Sequence, residues 1–349
     1  MPLKIHKDSH NISAGATFTI RTWLFLLGLM VYGMILVGGA TRLTDSGLSI
    51  TEWKPISGIL PPMSDAEWKL LFEKYQQTAE YRLQNAGMSL AEFEYIYWWE
   101  WGHRFLGRLV GMFAVGGLAA FWLAGWLKRG MKTKLIVLVA LGGLQGAIGW
   151  WMVASGIGDT DRVDVAPYRL MTHFGLALII LCYIYWLFMN LTLKSIRARS
   201  AGIGFYILFL LIFLQMAAGA LVAGLDAGRT YTDWPMMAGE FVPTGYWMEA
   251  LGVRNIFENV AAAQFNHRIL AYVIVAFTLI MAIRYRRQWH RTGLGILMFL
   301  IALQVAWGIY TLMSAAPVSL ALVHQGLGVL VMLASVRSIW RGRYSLSWN

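Results

Sequence analysis

Four of the seven histidines in this 349-residue chain, His103, His173, His267 and His324, stand inside long apolar runs or at their edges. Imidazole in such a setting has a short list of uses: it carries a proton or it ligates a metal. The four divide evenly along the chain, His103 with His173 and His267 with His324. Two axial nitrogens projecting into one helical bundle are the donor set of a planar macrocycle such as haem. Gly175 and Gly326 follow their histidines by two residues, and Gly107 and Ala271 follow theirs by four, on the same helical face. Small residues there would let a ring approach the backbone. Arg104, Arg108, Arg169 and Arg268 lie within about a turn of the histidines. Arginine at the edge of a membrane needs an anionic partner, which haem propionates would supply in bidentate geometry. A lone buried histidine is more often a hydrogen-bonded core residue than a ligand. Four at matching positions are not independent, so a haem pair is the expectation. A proton relay or a metal-ion path is the competing reading.

Glu100 precedes His103 by three residues in Trp99-Glu100-Trp101-Gly102-His103, whereas Gln264 holds the corresponding place before His267. A carboxylate can take a proton or stabilise positive charge, and an amide cannot titrate. The asymmetry predicts chemistry in the first half and a resident cofactor in the second. The bland alternative is an interfacial acid paired with Arg104. Gln145 and Gln304 read as interhelical hydrogen-bond partners rather than catalytic groups. Cys182, the only cysteine, reads as a small core residue, and His6, His10 and His290 as solvated members of basic segments.

The elements that must position these groups follow from composition. The chain is 58% hydrophobic and 13% charged, about half the charge of an ordinary soluble domain. Eight apolar runs, near 22–41, 104–126, 135–153, 168–192, 203–224, 265–283, 294–313 and 319–337, are each long enough to span a bilayer as a helix. The net charge of +11 does not point to nucleic acid, because its sources alternate with the spans. The tails and the stretches near 128–134, 194–199 and 284–291 hold 17 Lys and Arg against one acid, Asp8, and the other 17 acids fall in the alternate loops. That pattern places both termini in the cytoplasm. The polar N-terminus does not read as a cleavable signal, and a bacterial inner (plasma) membrane is the expected home. The loop 43–99 is long, with an amphipathic helix expected from Asp65 to Leu83, and the loop 225–262 is its counterpart. Internal repetition completes the pattern. Thr51-Glu52-Trp53 resembles Thr232-Asp233-Trp234, His103-Arg104 resembles His267-Arg268, and Gln145 with Gly149 resembles Gln304 with Gly308. An all-α membrane protein is expected, built as two tandem four-helix bundles (1–200 and 201–349) in a parallel pseudo-two-fold repeat.

At these residues the chain resembles the haem A synthase family, in its cysteine-pair-free branch of proteobacterial and mitochondrial members. The resemblance rests on Glu100-Trp101-Gly102-His103-Arg104, His173 with Gly175, Asn266-His267-Arg268 and His324-Gln325-Gly326. It rests also on the run from Gly38 to Ser49 with Trp53 and Pro55, and it covers all eight spans. It implies oxidation of the C8 methyl of haem O to a formyl group, giving haem A for cytochrome oxidase. It implies that His267 and His324 bind a resident haem b, that His103 and His173 flank the substrate, and that Glu100 is needed for turnover. Expected partners are haem O, membrane lipid, an electron acceptor, a haem O synthase and other copies of the chain. The alternatives are a di-haem b-type cytochrome fed by quinol, a haem chaperone, and a transporter.

Overall fold

The computed structural model describes residues 13–55, 57–192, 197–198 and 201–345. His6 and His10, and the side chain of His290, lie outside the described residues. Eight helices are long and apolar enough to cross a membrane: α1 (Ala14–Leu43), α4 (Leu90–Leu123), α5 (Arg129–Val153), α6 (Pro167–Thr192), α7 (Ile203–Gly224), α9 (Val260–Arg284), α11 (Leu294–Met313) and α12 (Val318–Arg343). Four short helices sit in the connections: α2 (Asp65–Gln76), α3 (Ala79–Leu83), α8 (Asn255–Glu258) and α10 (Trp289–Thr292). A two-residue antiparallel pairing of β1 (Arg197–Ala198) with β2 (Tyr344–Ser345) is the extended structure among the described residues.

The eight spans fall where expected, but two begin much earlier than hydropathy indicates. Helix α1 starts at Ala14 because the Ser13 side chain accepts the Ala16 N–H. Helix α4 starts at Leu90, where Ser89 and Glu92 form a reciprocal capping box. His103 therefore lies well inside α4 rather than opening it, and much of the expected loop 43–99 is helical. The amphipathic helix expected from Asp65 to Leu83 is two helices, because the Thr78 hydroxyl caps a new start by accepting Tyr81 N–H. Tyr75, Phe93, Ile96 and Tyr97 bury themselves together where α2 and α3 fold onto the extended start of α4.

Helix α1 packs on α4 and α6, and α5 closes the ring by packing on both. Helices α7, α9, α11 and α12 make a second ring in the same order. The rings meet through α6 with α7, α1 with α12, and α6 with α12. One apolar core gathers Leu24, Leu27, Leu178 and Ile184, and another gathers Leu208, Ile212, Leu297 and Met332. Helices α4 and α5 turn Met112, Val115, Ile136 and Leu144 outward, the arrangement lipid tolerates and water does not.

Candidate functional site

Each of the four histidines rests edge-on against a glycine of a neighbouring helix. A Cβ placed on Gly38 of α1 would lie 2.8 Å from Cε1 of His103, and one on Gly149 of α5 would lie 2.8 Å from that of His173. The corresponding distances are 3.2 Å for Gly219 of α7 against His267 and 2.7 Å for Gly308 of α11 against His324. Contacts below about 3 Å leave no room for a methyl group, so these glycines set the ring positions. Two of the glycines singled out from sequence border the other ring of helices. A Cβ on Gly326 would meet the Tyr32 hydroxyl at 2.8 Å, and one on Gly175 would lie 3.5 Å from Phe213. They let the two rings of helices approach each other.

Three glutamines clamp three of the histidines. Nε2 of Gln145 donates to the His173 carbonyl at 3.0 Å and lies 3.2 Å from its Nδ1. Gln215 does the same at His267, at 3.0 and 3.1 Å. Gln304 donates to the His324 carbonyl at 3.0 Å, with Nε2 of the ring 3.4 Å away. Gln145 and Gln304 are thus interhelical partners, as the sequence predicts; Gln215 was visible only as part of a Gln-x-x-x-Gly spacing that recurs three times.

The rings of His267 and His324 stand 6.5 Å apart between centroids, with planes inclined at 73°. Two metal–imidazole bonds of about 2.0–2.1 Å plus two half-rings account for about 6.3 Å, so the pair is spaced to share one metal. Among the described residues no three His, Cys, Asp or Glu converge as a cage for a bare ion. A two-imidazole donor set fits a macrocycle that supplies the other ligands itself. Nδ1 of His103 and of His324 are buried without a partner.

Glu100 is buried, and its carboxylate is fully engaged. One oxygen accepts Ser49 Oγ at 2.8 Å and Ile50 N–H at 2.7 Å. The other accepts Nε of Arg104 at 3.1 Å and Nη2 at 2.6 Å. Arg104 in turn donates to the carbonyls of Glu52 and Ile50. Arg268 repeats this on Asp233 and Tyr231, while Gln264 donates to Tyr231. Arg108 holds the Lys54 and Pro55 carbonyls, and Arg169 holds that of Trp151 while lying over its ring. The four arginines expected at propionates thus hold loop and helix-end backbone, with buried N–H groups left over on Arg108 Nη1, Arg169 Nε and Arg268 Nε. A cavity of about 130 Å3 opens beside Arg104, lined by Thr51, Glu52, Trp53 and Trp150.

Two buried charges escaped sequence reasoning. Arg42, at the end of α1, pairs with Asp45 at 2.6 Å, Asp226 at 2.6 Å and Asp164 at 3.2 Å, joining loops of both halves. Glu80 of α3 is 2% exposed, and burial together with the nearby charge of Glu100 pushes its carboxyl up to about 8. Burial likewise pushes the Tyr75 phenol beside it up. Cys182 of α6 packs against the apolar core of the second ring and is not in a disulfide.

Fold and site together define a multi-pass membrane protein carrying paired imidazoles inside rings of helices. The family described as cytochrome oxidase assembly protein matches residues 21–336. A haem A synthase of Hyphomonas neptunium is 60% identical over 95% of this chain and 95% of its own. One of Paracoccus denitrificans is 46% identical over 95% and 89%, and one of Brucella ovis 44% identical over 92% and 91%. The chain belongs to the haem A synthase family.

Proposed function

We propose that the protein oxidises the C8 methyl of haem O to a formyl group, producing haem A for cytochrome oxidase. The carrying observation is the set of four glycine-backed histidines, in two pairs, on a chain of this family. The net change is a methyl group and one water giving an aldehyde, four protons and four electrons. His103 and His173 flank the haem O, in a half spanning 1–200. His267 and His324, in the half spanning 201–349, hold a resident haem b, whose contribution is one-electron redox chemistry. The 6.5 Å spacing of that pair supports the assignment.

Glu100 and Arg104 hold the segment Ser49–Glu52 over the first pair. That brace ties the loop to α4 through Glu100 and Arg104. A proton leaving the methyl carbon meets this carboxylate on the His103 side of the bundle, where Gln264 in the other half could take none. Arg104, Arg108, Arg169 and Arg268 are the propionate candidates, and Arg108, Arg169 and Arg268 retain buried N–H donors for that role. The recurrence of the Arg104 contacts at Arg268 supports a parallel two-fold relation between the halves. The positive stretches near 128–134 and 284–291 support a cytoplasmic side that also holds both termini.

The test is purification in mild detergent, a reduced-minus-oxidised spectrum and chromatographic identification of extracted haems. Haem B with haem O, haem A or a hydroxylated form between them is expected. Two equivalents of haem B alone would make the protein a di-haem cytochrome, and a colourless protein would end the reading.

A further inference from the structure

Beyond the Glu100 and Gln264 asymmetry, the four histidine sites differ in one further respect. Four residues before Gly149, Gly219 and Gly308 stand Gln145, Gln215 and Gln304, and four residues before Gly38 stands Met34. Each glutamine reaches the backbone carbonyl of its histidine at 3.0 Å. Met34 instead lays its methyl beside α4, where a Cβ on Gly107 would lie 3.2 Å from Met34 Cε. No hydrogen bond of that kind ties His103, and its Nδ1 is buried without a partner.

We propose that this Gln/Met pattern sets how tightly each histidine holds iron, with Met34 leaving His103 as the loose, exchangeable ligand of the substrate site. The proposal rests on the haem reading of the four histidines. An outer-shell group that holds a ligating imidazole fixes its orientation and strengthens its hold on the metal. At His173 and His267 the amide nitrogen that donates to the backbone carbonyl also lies 3.2 and 3.1 Å from Nδ1 and 3.3 and 3.2 Å from Nε2, so one group holds backbone and ring together. At His324 the amide nitrogen anchors the backbone and lies 3.4 Å from Nε2, while Nδ1 has no partner. Methionine has no N–H to donate to the His103 carbonyl.

The consequence is directional. The resident site has two locked ligands, as a cofactor that must stay requires. The substrate site has one locked ligand, His173, and one loose one, as a site that must take in haem O and let haem A go requires. Glu100 lies one turn from His103 on α4, so a carboxylate and the missing clamp fall at the same histidine. Met34 and the glutamines are positioning residues; they act through the imidazoles.

The experiment compares purified Gln215→Met, Gln215→Glu, Met34→Gln and Met34→Leu proteins by haem content and identity, redox midpoint potentials and low-spin EPR signals. Gln215→Met should weaken retention of the resident haem about 10- to 100-fold and raise its potential. Gln215→Glu, whose carboxylate cannot donate to the His267 carbonyl, should weaken retention as Gln215→Met does. Met34→Gln should make the substrate-site haem co-purify more fully, lower its potential and slow product release, with the resident signals unmoved. Met34→Leu should resemble the parent. An unchanged potential and retention in both Gln215→Met and Met34→Gln would overturn the inference while the haem reading stood. If His267→Ala also kept its full haem content, the haem reading itself would fall.

Discussion

Replacing Glu100 with glutamine separates bracing from chemistry. The carboxylate accepts four hydrogen bonds between 2.6 and 3.1 Å, two from Arg104 and two from Ser49 and Ile50. A hydrogen bond to a charged group contributes about 1.5–3 kcal/mol and a neutral one about 0.5–1.5 kcal/mol. The amide keeps one oxygen for part of this set and loses charge assistance for all of it. The other half shows the wiring it can fall back on: Gln264 donates to the Tyr231 carbonyl while Arg268 keeps its own loop carbonyls. Arg104 likewise keeps Ile50 and Glu52. About 3 kcal/mol of local stability is therefore at stake, held in the loop rather than in the bundle. Since 1.4 kcal/mol is about a factor of ten, backbone amides over residues 44–55 should exchange with deuterium about a hundred times faster in Glu100→Gln. The resident haem signal should be unchanged and haem A formation lost. Normal exchange over 44–55 would refute the bracing argument, and full haem A formation would remove the carboxylate from the chemistry.

Three further outcomes follow. Burial holds the Glu80 carboxyl at about 8, above its ordinary 4.5, so the folded protein binds the extra proton and its stability falls as pH rises between them. The slope is at most about 1.4 kcal/mol per pH unit; Glu80→Gln should flatten it in thermal unfolding from pH 5 to 8, and a parent protein with no such slope would contradict the buried acid. Arg42→Ala leaves Asp45, Asp164 and Asp226 facing one another. With the acids a third or more exposed, a loss of about 2–3 kcal/mol is expected, and Asp226→Asn on top of it should recover part of that in a double-mutant cycle; strict additivity would mean no coupling. Gly308→Ala forces a methyl to within 2.7 Å of His324, whereas Gly219→Ala reaches only 3.2 Å from His267. Resident haem content should therefore fall further in the first variant, and the reverse order would show that the rings are placed by something other than these glycines.

The span count, the four histidines and the acid–amide asymmetry were legible in the sequence because each is a local signal. Hydropathy registers over a helix length, charge alternates between loops, and a repeat announces itself at matched residues. The ends of α1 and α4 were not legible from hydropathy, since they are set by the side chains of Ser13, Ser89 and Glu92 rather than by apolar content. The split at Thr78 is likewise one hydroxyl prevailing over an amphipathic pattern. The glycines that touch the imidazoles, Gly38, Gly149, Gly219 and Gly308, were not legible as such, because spacing along one helix says nothing about which neighbour faces it. Arg42 and Glu80 looked like ordinary interfacial charges; only the folded loops remove them from water and give them partners 120 residues or more away or, for Glu80, none for one oxygen.

On the proposed reading, the two rings of helices use similar parts for opposite ends. A backbone-braced arginine after the histidine, a glycine under the imidazole and a loop closed over the mouth occur in both. What differs is small: Glu100 against Gln264 and Met34 against Gln215. Both differences fall on His103, and under the proposal both act in the same direction, toward an acidic, loosely ligated site rather than an amide-lined, locked one. Exchanging them one at a time would change charge without changing ligand strength, or the reverse. A Met34→Gln, Glu100→Gln double variant should therefore hold its first haem as the second half does, tightly and without turnover. If that variant still exchanged haem freely, the source of exchange would lie elsewhere, in the outward-facing α4 and α5.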